Sequence, residues 1–194
     1  MLGIDLKSRR NKEVVKWFLA AILYSKPIRE GSATQTFRCF DKHEVTTARR
    51  IIDAGWDRLV SILDEGGYTR YDFSTADKLL EVFGNLQQQY GGNLNRLYEA
   101  SRNSEEVEAN LKKLGKGIGD ITISIFLRDM RSTWRNVEPK PTPLVIAAMR
   151  SLGIKDLKEC AKEKQVDLVR LETALLRYSK DFIKKRKTVR VLLS

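Results

Sequence analysis

Three glycines at alternate positions, Gly115, Gly117 and Gly119, separate an apolar helical run ending at Leu114 from a second run that carries Thr122, Ile123, Ile125 and Phe126. Glycine reaches backbone conformations closed to other residues, so this order reads as two short helices over Leu111 to Met130 joined by a tight hairpin. Its N–H groups then face outward at the start of the second helix. Amides converging at a helix N-terminus bind an anion through directed hydrogen bonds and the positive end of the helix dipole. Lys112, Lys113 and Lys116 add charge beside that position, and Ile118 is placed to anchor the hairpin tip between the two helices. Spacing alone also fits an ordinary helix stop with Asp120 opening the next helix. The Gly117-Ile118-Gly119 core between two apolar runs favours the hairpin.

A second cluster lies at Tyr68, Arg70, Tyr71 and Asp72, in a stretch opened by Gly66 and Gly67. Tyrosine stacks on an exposed base with about 1–3 kcal/mol. Equally, a tyrosine at the base of a helix packs its ring and leaves its hydroxyl wet. Lys26 and Lys116 are the amines placed to act as nucleophiles, and each also fits a plain phosphate-seeking charge. Among carboxylates, Asp120 sits where a helix cap belongs and Asp129 lies further along the same helix. Trp17, Trp56 and Trp134 read as core or core-edge residues, with Trp134 a candidate for the wall of a cleft.

Composition narrows the chemistry further. The 194 residues carry 36 Lys plus Arg against 25 Asp plus Glu, a net charge of +11, which implies a polyanionic partner. His43 is the sole histidine, which rules out a histidine triad or a multi-histidine metal centre built from this sequence. Two distant cysteines, Cys39 and Cys160, make neither a disulfide framework nor a zinc site. They also fall short of the four thiolates an iron–sulfur cluster needs. No cofactor is expected. No apolar run approaches the roughly 20 residues of a membrane span, so the expected setting is cytosolic and nucleoid-associated.

These groups must be positioned by helices, because apolar residues recur at three- and four-residue steps throughout. The pattern predicts a first helix over 12–24 stopped before Pro27, short helices over 33–40 and 47–54, and a break at Gly55 before 56–63. A long helix from a Ser74–Asp77 capping box to Tyr90 follows, closed by Gly91-Gly92. After the hairpin, Pro139, Pro141 and Pro143 mark an extended connection over 135–143. Thr142 caps a helix begun by Pro143 and closed by Gly153, and further helices start at Asp156 and Asp167. The basic tail after Phe182 reads as a fraying end.

The AAILYSKPIREGSATQTF opening, the GGYTRYDFSTADKLLEVFGNLQQQYGG segment, the KGIGDIT hairpin and the PTPLVIAAMRSLGI stretch together resemble the helix-hairpin-helix DNA glycosylases typified by endonuclease III. The resemblance runs from about Val14 to Ile154, and the hairpin is its specific part. It implies an all-α fold of two helical lobes around a DNA-facing cleft. One lobe would comprise 25–134 with the hairpin over 111–130, and the other 1–24 plus 135–194. It further implies double-stranded DNA, damaged or mismatched, as partner. Lys113, Lys116, Gly117, Ile118, Gly119 and Thr122 would meet that DNA, as would Tyr68, Arg70, Tyr71 and Lys26. A monovalent cation, Na or K, would sit on the backbone of Gly117 and Gly119.

Members of that family rotate a nucleotide out of the duplex and remove its base. A carboxylate stabilises the positive sugar, and water or a lysine amine attacks it. This chain departs at both positions. Ile121 stands two residues beyond the last hairpin glycine, where a lysine would be, and Pro141 or Thr142 stands where the aspartate would be. Glu138, in the same connection, is the carboxylate left to serve as catalytic residue. The resemblance therefore implies a DNA N-glycosylase of altered apparatus, without lysine-based strand cleavage. Two alternatives belong to other classes: a noncatalytic module that reads damaged or distorted DNA, and a helical protein whose basic surface meets acidic proteins.

Overall fold

A computed structural model describes residues 2–184 of the chain. The basic tail from residue 185 onward lies outside the described residues. Within them the fold is all-α, with ten helices and no strand: α1 (Asn11–Tyr24), α2 (Glu30–Lys42), α3 (Ala48–Glu65), α4 (Asp72–Tyr90), α5 (Leu94–Glu99), α6 (Ser104–Lys113), α7 (Asp120–Met130), α8 (Pro143–Ser151), α9 (Leu157–Glu163) and α10 (Leu168–Tyr178). Among the described residues no helix is long and apolar enough to cross a membrane.

The chain divides at Pro139 into two compact units, with Lys140 opening the second. This differs from the expected lobes, in which residues 1–24 joined 135–194. The reason is the composition of α1, whose Val14, Val15 and continuous run Phe18–Leu23 are all essentially inaccessible to solvent. Such a helix has no exposed stripe to spare and must be surrounded. It lies in the same core as Phe37, Phe40, Leu59, Leu79, Phe83 and Phe126. Phe18 packs edge-on against Phe126 at 4.9 Å and Phe83 at 6.1 Å between ring centroids, the arrangement ring quadrupoles favour. Trp134 is buried against Phe126 and donates from Nε1 to Asn95 Oδ1 at 2.9 Å. It is thus a core residue.

The glycine signals act locally as expected. Gly55, at φ +71° and ψ 174°, kinks α3 at the expected break, and Gly91 closes α4 at φ +64° with its N–H on the Gln87 carbonyl. The expected capping box does not form. The helix begins three residues earlier, with Tyr71 at the N-cap and Asp72 in the first helical position after a turn from Tyr71 N–H to the Tyr68 carbonyl. Ser74 Oγ then returns to the Tyr71 carbonyl, and Asp77 accepts from the Trp56 indole.

The second unit gathers α8, α9 and α10 around Val145, Ala148, Leu157 and Leu175. Asp156 and Asp167 cap their helices by accepting from Glu159 N–H at 2.7 Å and Arg170 N–H at 2.9 Å. Thr142 occupies the N-cap of α8 but makes no side-chain capping bond, and its buried hydroxyl finds no partner.

Candidate nucleic-acid interface

The hairpin between α6 and α7 is held from below by one face of α4. Lys78, Glu81 and Asn85 stand at i, i+3 and i+7 on that helix and therefore share a side. Asn85 Nδ2 donates to the Leu114 carbonyl at 2.9 Å, which satisfies one of the orphan acceptors at the end of α6. Glu81 Oε2 accepts from the Lys116 N–H at 3.1 Å, and Lys78 Nζ donates to the Gly117 carbonyl at 3.0 Å. None of these three was read as a site residue from the sequence. The signal was there: three polar side chains at helical spacing, among Leu79, Val82 and Leu86 of a helix that is otherwise core.

With those bonds made, the glycines separate into three roles. Gly117 sits at φ +85°, a left-handed conformation that glycine enters without strain. Gly115 is a contact glycine, because a Cβ there would come within 2.7 Å of Val82. Gly119 has an extended backbone any residue adopts, forms the N-cap of α7, and would carry a Cβ into open space. Ile118 points inward and is 4% exposed, as its anchoring role requires. No protein acceptor faces the N–H of Gly117 or Gly119 among the described residues. Lys113 and Lys116 are exposed beside them, while Lys112 is paired with Asp120 at 2.7 Å.

The other expected contacts divide in the same way. Thr122 is 2% exposed, so its side chain belongs to the core and not to a surface that meets DNA. Tyr68 is likewise a core residue, 1% exposed, and it cannot stack on a base. Its hydroxyl donates to the Leu23 carbonyl at 2.6 Å. That carbonyl would ordinarily bond the N–H four residues on, but Pro27 has none to give. Burial pushes the Tyr68 phenol well above its ordinary range. Removing the hydroxyl strands the carbonyl, so Tyr68→Phe is expected to lower stability by about 1–3 kcal/mol in urea denaturation while leaving DNA binding unchanged.

Arg70, Tyr71 and Lys26 do come together beside the hairpin. Lys26 Nζ lies 5.5 Å and Arg70 Cζ 5.8 Å from the centre of the Tyr71 ring, both within cation–π range. Lys26 also touches Lys78, whose amine is pushed down to about 8, first by burial and then by the neighbouring Lys26 charge and bond. The Gly117 carbonyl, one expected seat of a monovalent cation, is bonded to the Lys78 amine. The Gly119 carbonyl accepts from Ile123 N–H as α7 begins.

No protein-family model, curated protein or solved structure matches this chain.

Glu138 stands apart from the hairpin. Its N–H donates to Ser104 Oγ at 2.9 Å, which fixes its backbone at the N-terminal end of α6, whereas the hairpin leaves the other end. At about 1.5 Å per residue, ten residues separate them by roughly 14 Å. Ile121 is 48% exposed in the first turn of α7. His43, at the C-cap of α2, joins a surface network: its Nε2 meets Glu65 at 2.6 Å, its Nδ1 faces Arg58 at 2.9 Å, and the Lys42 and His43 bonds hold Glu65 down at about 2. Among the described residues no group of His, Cys, Asp and Glu side chains is arranged to hold a metal ion.

Proposed function

We propose that this protein binds double-stranded DNA as a base-excision-type protein, with the α6–α7 hairpin gripping a backbone phosphate. The observation that carries this reading is the pair of exposed glycines, Gly117 and Gly119, whose N–H groups meet no protein acceptor among the described residues. The α4 bonds tie down the backbone from Leu114 to Gly117 beside them, and Lys113 and Lys116 are exposed close by in sequence. Two N–H donors leading into a helix N-terminus, with exposed lysines beside them, match the tetrahedral monoanion of a phosphodiester. The net charge of +11 suits the same partner.

In the base-excision reading, the duplex is held at the hairpin while a nucleotide is rotated out. Glu138, exposed on its loop, stabilises the positive charge on the sugar as the base departs. Water is the nucleophile, since Ile121 offers no amine. The tie of the Glu138 backbone to the end of α6 opposite the hairpin and the apolar Ile121 favour a second reading, a DNA-structure or damage reader without chemistry. A panel of duplexes with single damaged, mismatched or abasic sites separates the two. Base release from one of them that disappears in Glu138→Gln, with binding intact, marks the enzyme. Hairpin-dependent binding with no release from any duplex marks the reader. A chain that binds no duplex leaves only the third class, a helical protein that meets acidic proteins.

A further inference from the structure

Two cations meet at the Tyr71 ring, Lys26 and Arg70, and Lys26 in turn lies against a third, Lys78. Lysines and arginines in such company are ordinarily balanced by carboxylates. Here, among the described residues, no carboxylate pairs with any of the three. Glu81, one turn along α4 from Lys78, is turned away onto the Lys116 N–H. Lys78 is itself only 9% exposed, so its charge lies in a poorly solvated position with a second ammonium against it. Both conditions are unfavourable in the free protein, and both are relieved by an anion. The pair also adjoins the hairpin directly, because Lys78 holds the Gly117 carbonyl.

We propose that Lys26, Arg70 and Lys78 form a second phosphate subsite, taking the phosphodiester next to the one gripped by the hairpin amides. The inference rests on the DNA-binding reading and deepens it: the chain then holds two phosphates of one strand, linked through a single lysine. The charged group that faces Lys78 is Lys26, from the connection after α1; Arg70, before α4, meets the other cation through the Tyr71 ring, and Glu81, on α4 itself, is bonded to the hairpin backbone. The sign of the coupling follows. A bound phosphate favours protonated Lys78, so affinity holds steady below the free-state value of about 8. It then declines as pH rises, by up to tenfold per pH unit until the bound-state value is reached.

The test is fluorescence anisotropy of a short labelled duplex against the full chain from pH 7 to 9.5 at fixed salt. Wild-type affinity is expected to fall above pH 8. Lys78→Met flattens the fall. Lys26→Met moves it to higher pH by relieving Lys78 of its neighbour, and makes the slope of log affinity against log salt shallower by about 0.9. Lys26 lies outside the core, so its variant keeps the test decisive even if Lys78→Met disturbs the hairpin. A profile the same in wild type and Lys26→Met, with an unchanged salt slope, overturns the subsite, while binding that is still lost in Gly119→Ala leaves the hairpin reading standing. NMR of the Lys78 side chain gives an independent arm. A titration midpoint raised by duplex supports the proposal, and one raised by inorganic phosphate but not by duplex overturns the nucleic-acid assignment. A midpoint moved by neither overturns the subsite itself.

Discussion

Phe18→Ala is expected to lower the stability of the first unit by about 3–5 kcal/mol, the range for truncating a fully buried aromatic. Phe18 is fully buried on α1 and is met edge-on by Phe83 of α4 and Phe126 of α7. These three helices carry the parts of the site: α4 supplies the side chains under the hairpin, α7 begins at it, and α1 ends just before Lys26. The cavity would open where they meet, and rings fixed by two neighbours collapse poorly. A domain of this size is stable by only about 5–15 kcal/mol, so the loss is a large share of the whole. Urea denaturation followed by circular dichroism measures it. A change below 1 kcal/mol would mean that the three helices do not share this core.

Gly119→Ala is expected to weaken duplex binding roughly 10- to 150-fold with stability unchanged: alanine keeps the N–H, but its methyl obstructs the phosphate and breaks one charge-assisted hydrogen bond worth about 1.5–3 kcal/mol. The fold has no objection to a methyl at this position, since the backbone is at φ −101° and nothing lies within 4 Å of a built Cβ. That open space is where a phosphate would approach the N–H of Gly117 and Gly119. Gly117→Ala is a poorer probe, because its φ of +85° strains any other residue and its Cβ would meet Lys78 at 2.7 Å. Fold and function therefore separate at Gly119. Equal melting temperatures with unequal affinities are the expected result, and equal affinities would remove the hairpin from the binding surface.

Much of the architecture was legible because it depends on local rules. Helix spacing, the break at Gly55, the stop at Gly91 and the caps at Asp156 and Asp167 each follow from a few adjacent residues, and each is found where local chemistry puts it. The inward turn of Ile118 was legible for the same reason, as an apolar residue between two outward glycines. What escaped was decided across the chain. Tyr68 looked like a surface reader until Leu23 and Pro27, more than forty residues earlier, supplied a carbonyl in need of a donor. Lys78, Glu81 and Asn85 looked like ordinary polar positions on a long helix until the hairpin, about thirty residues later, packed onto them. The placing of α1 among the other helices of its unit failed for a related cause: its all-round apolarity says that it is buried but not by what.

The salt dependence of duplex affinity for wild type and Gly119→Ala tests phosphate capture by the hairpin. If the hairpin grips phosphate, log affinity falls linearly with log salt, with a slope of about −0.9 for each phosphate neutralised. Gly119→Ala binds more weakly at every salt concentration while remaining fully folded. Duplex affinity that is indifferent to salt, or identical in the two proteins, would contradict it.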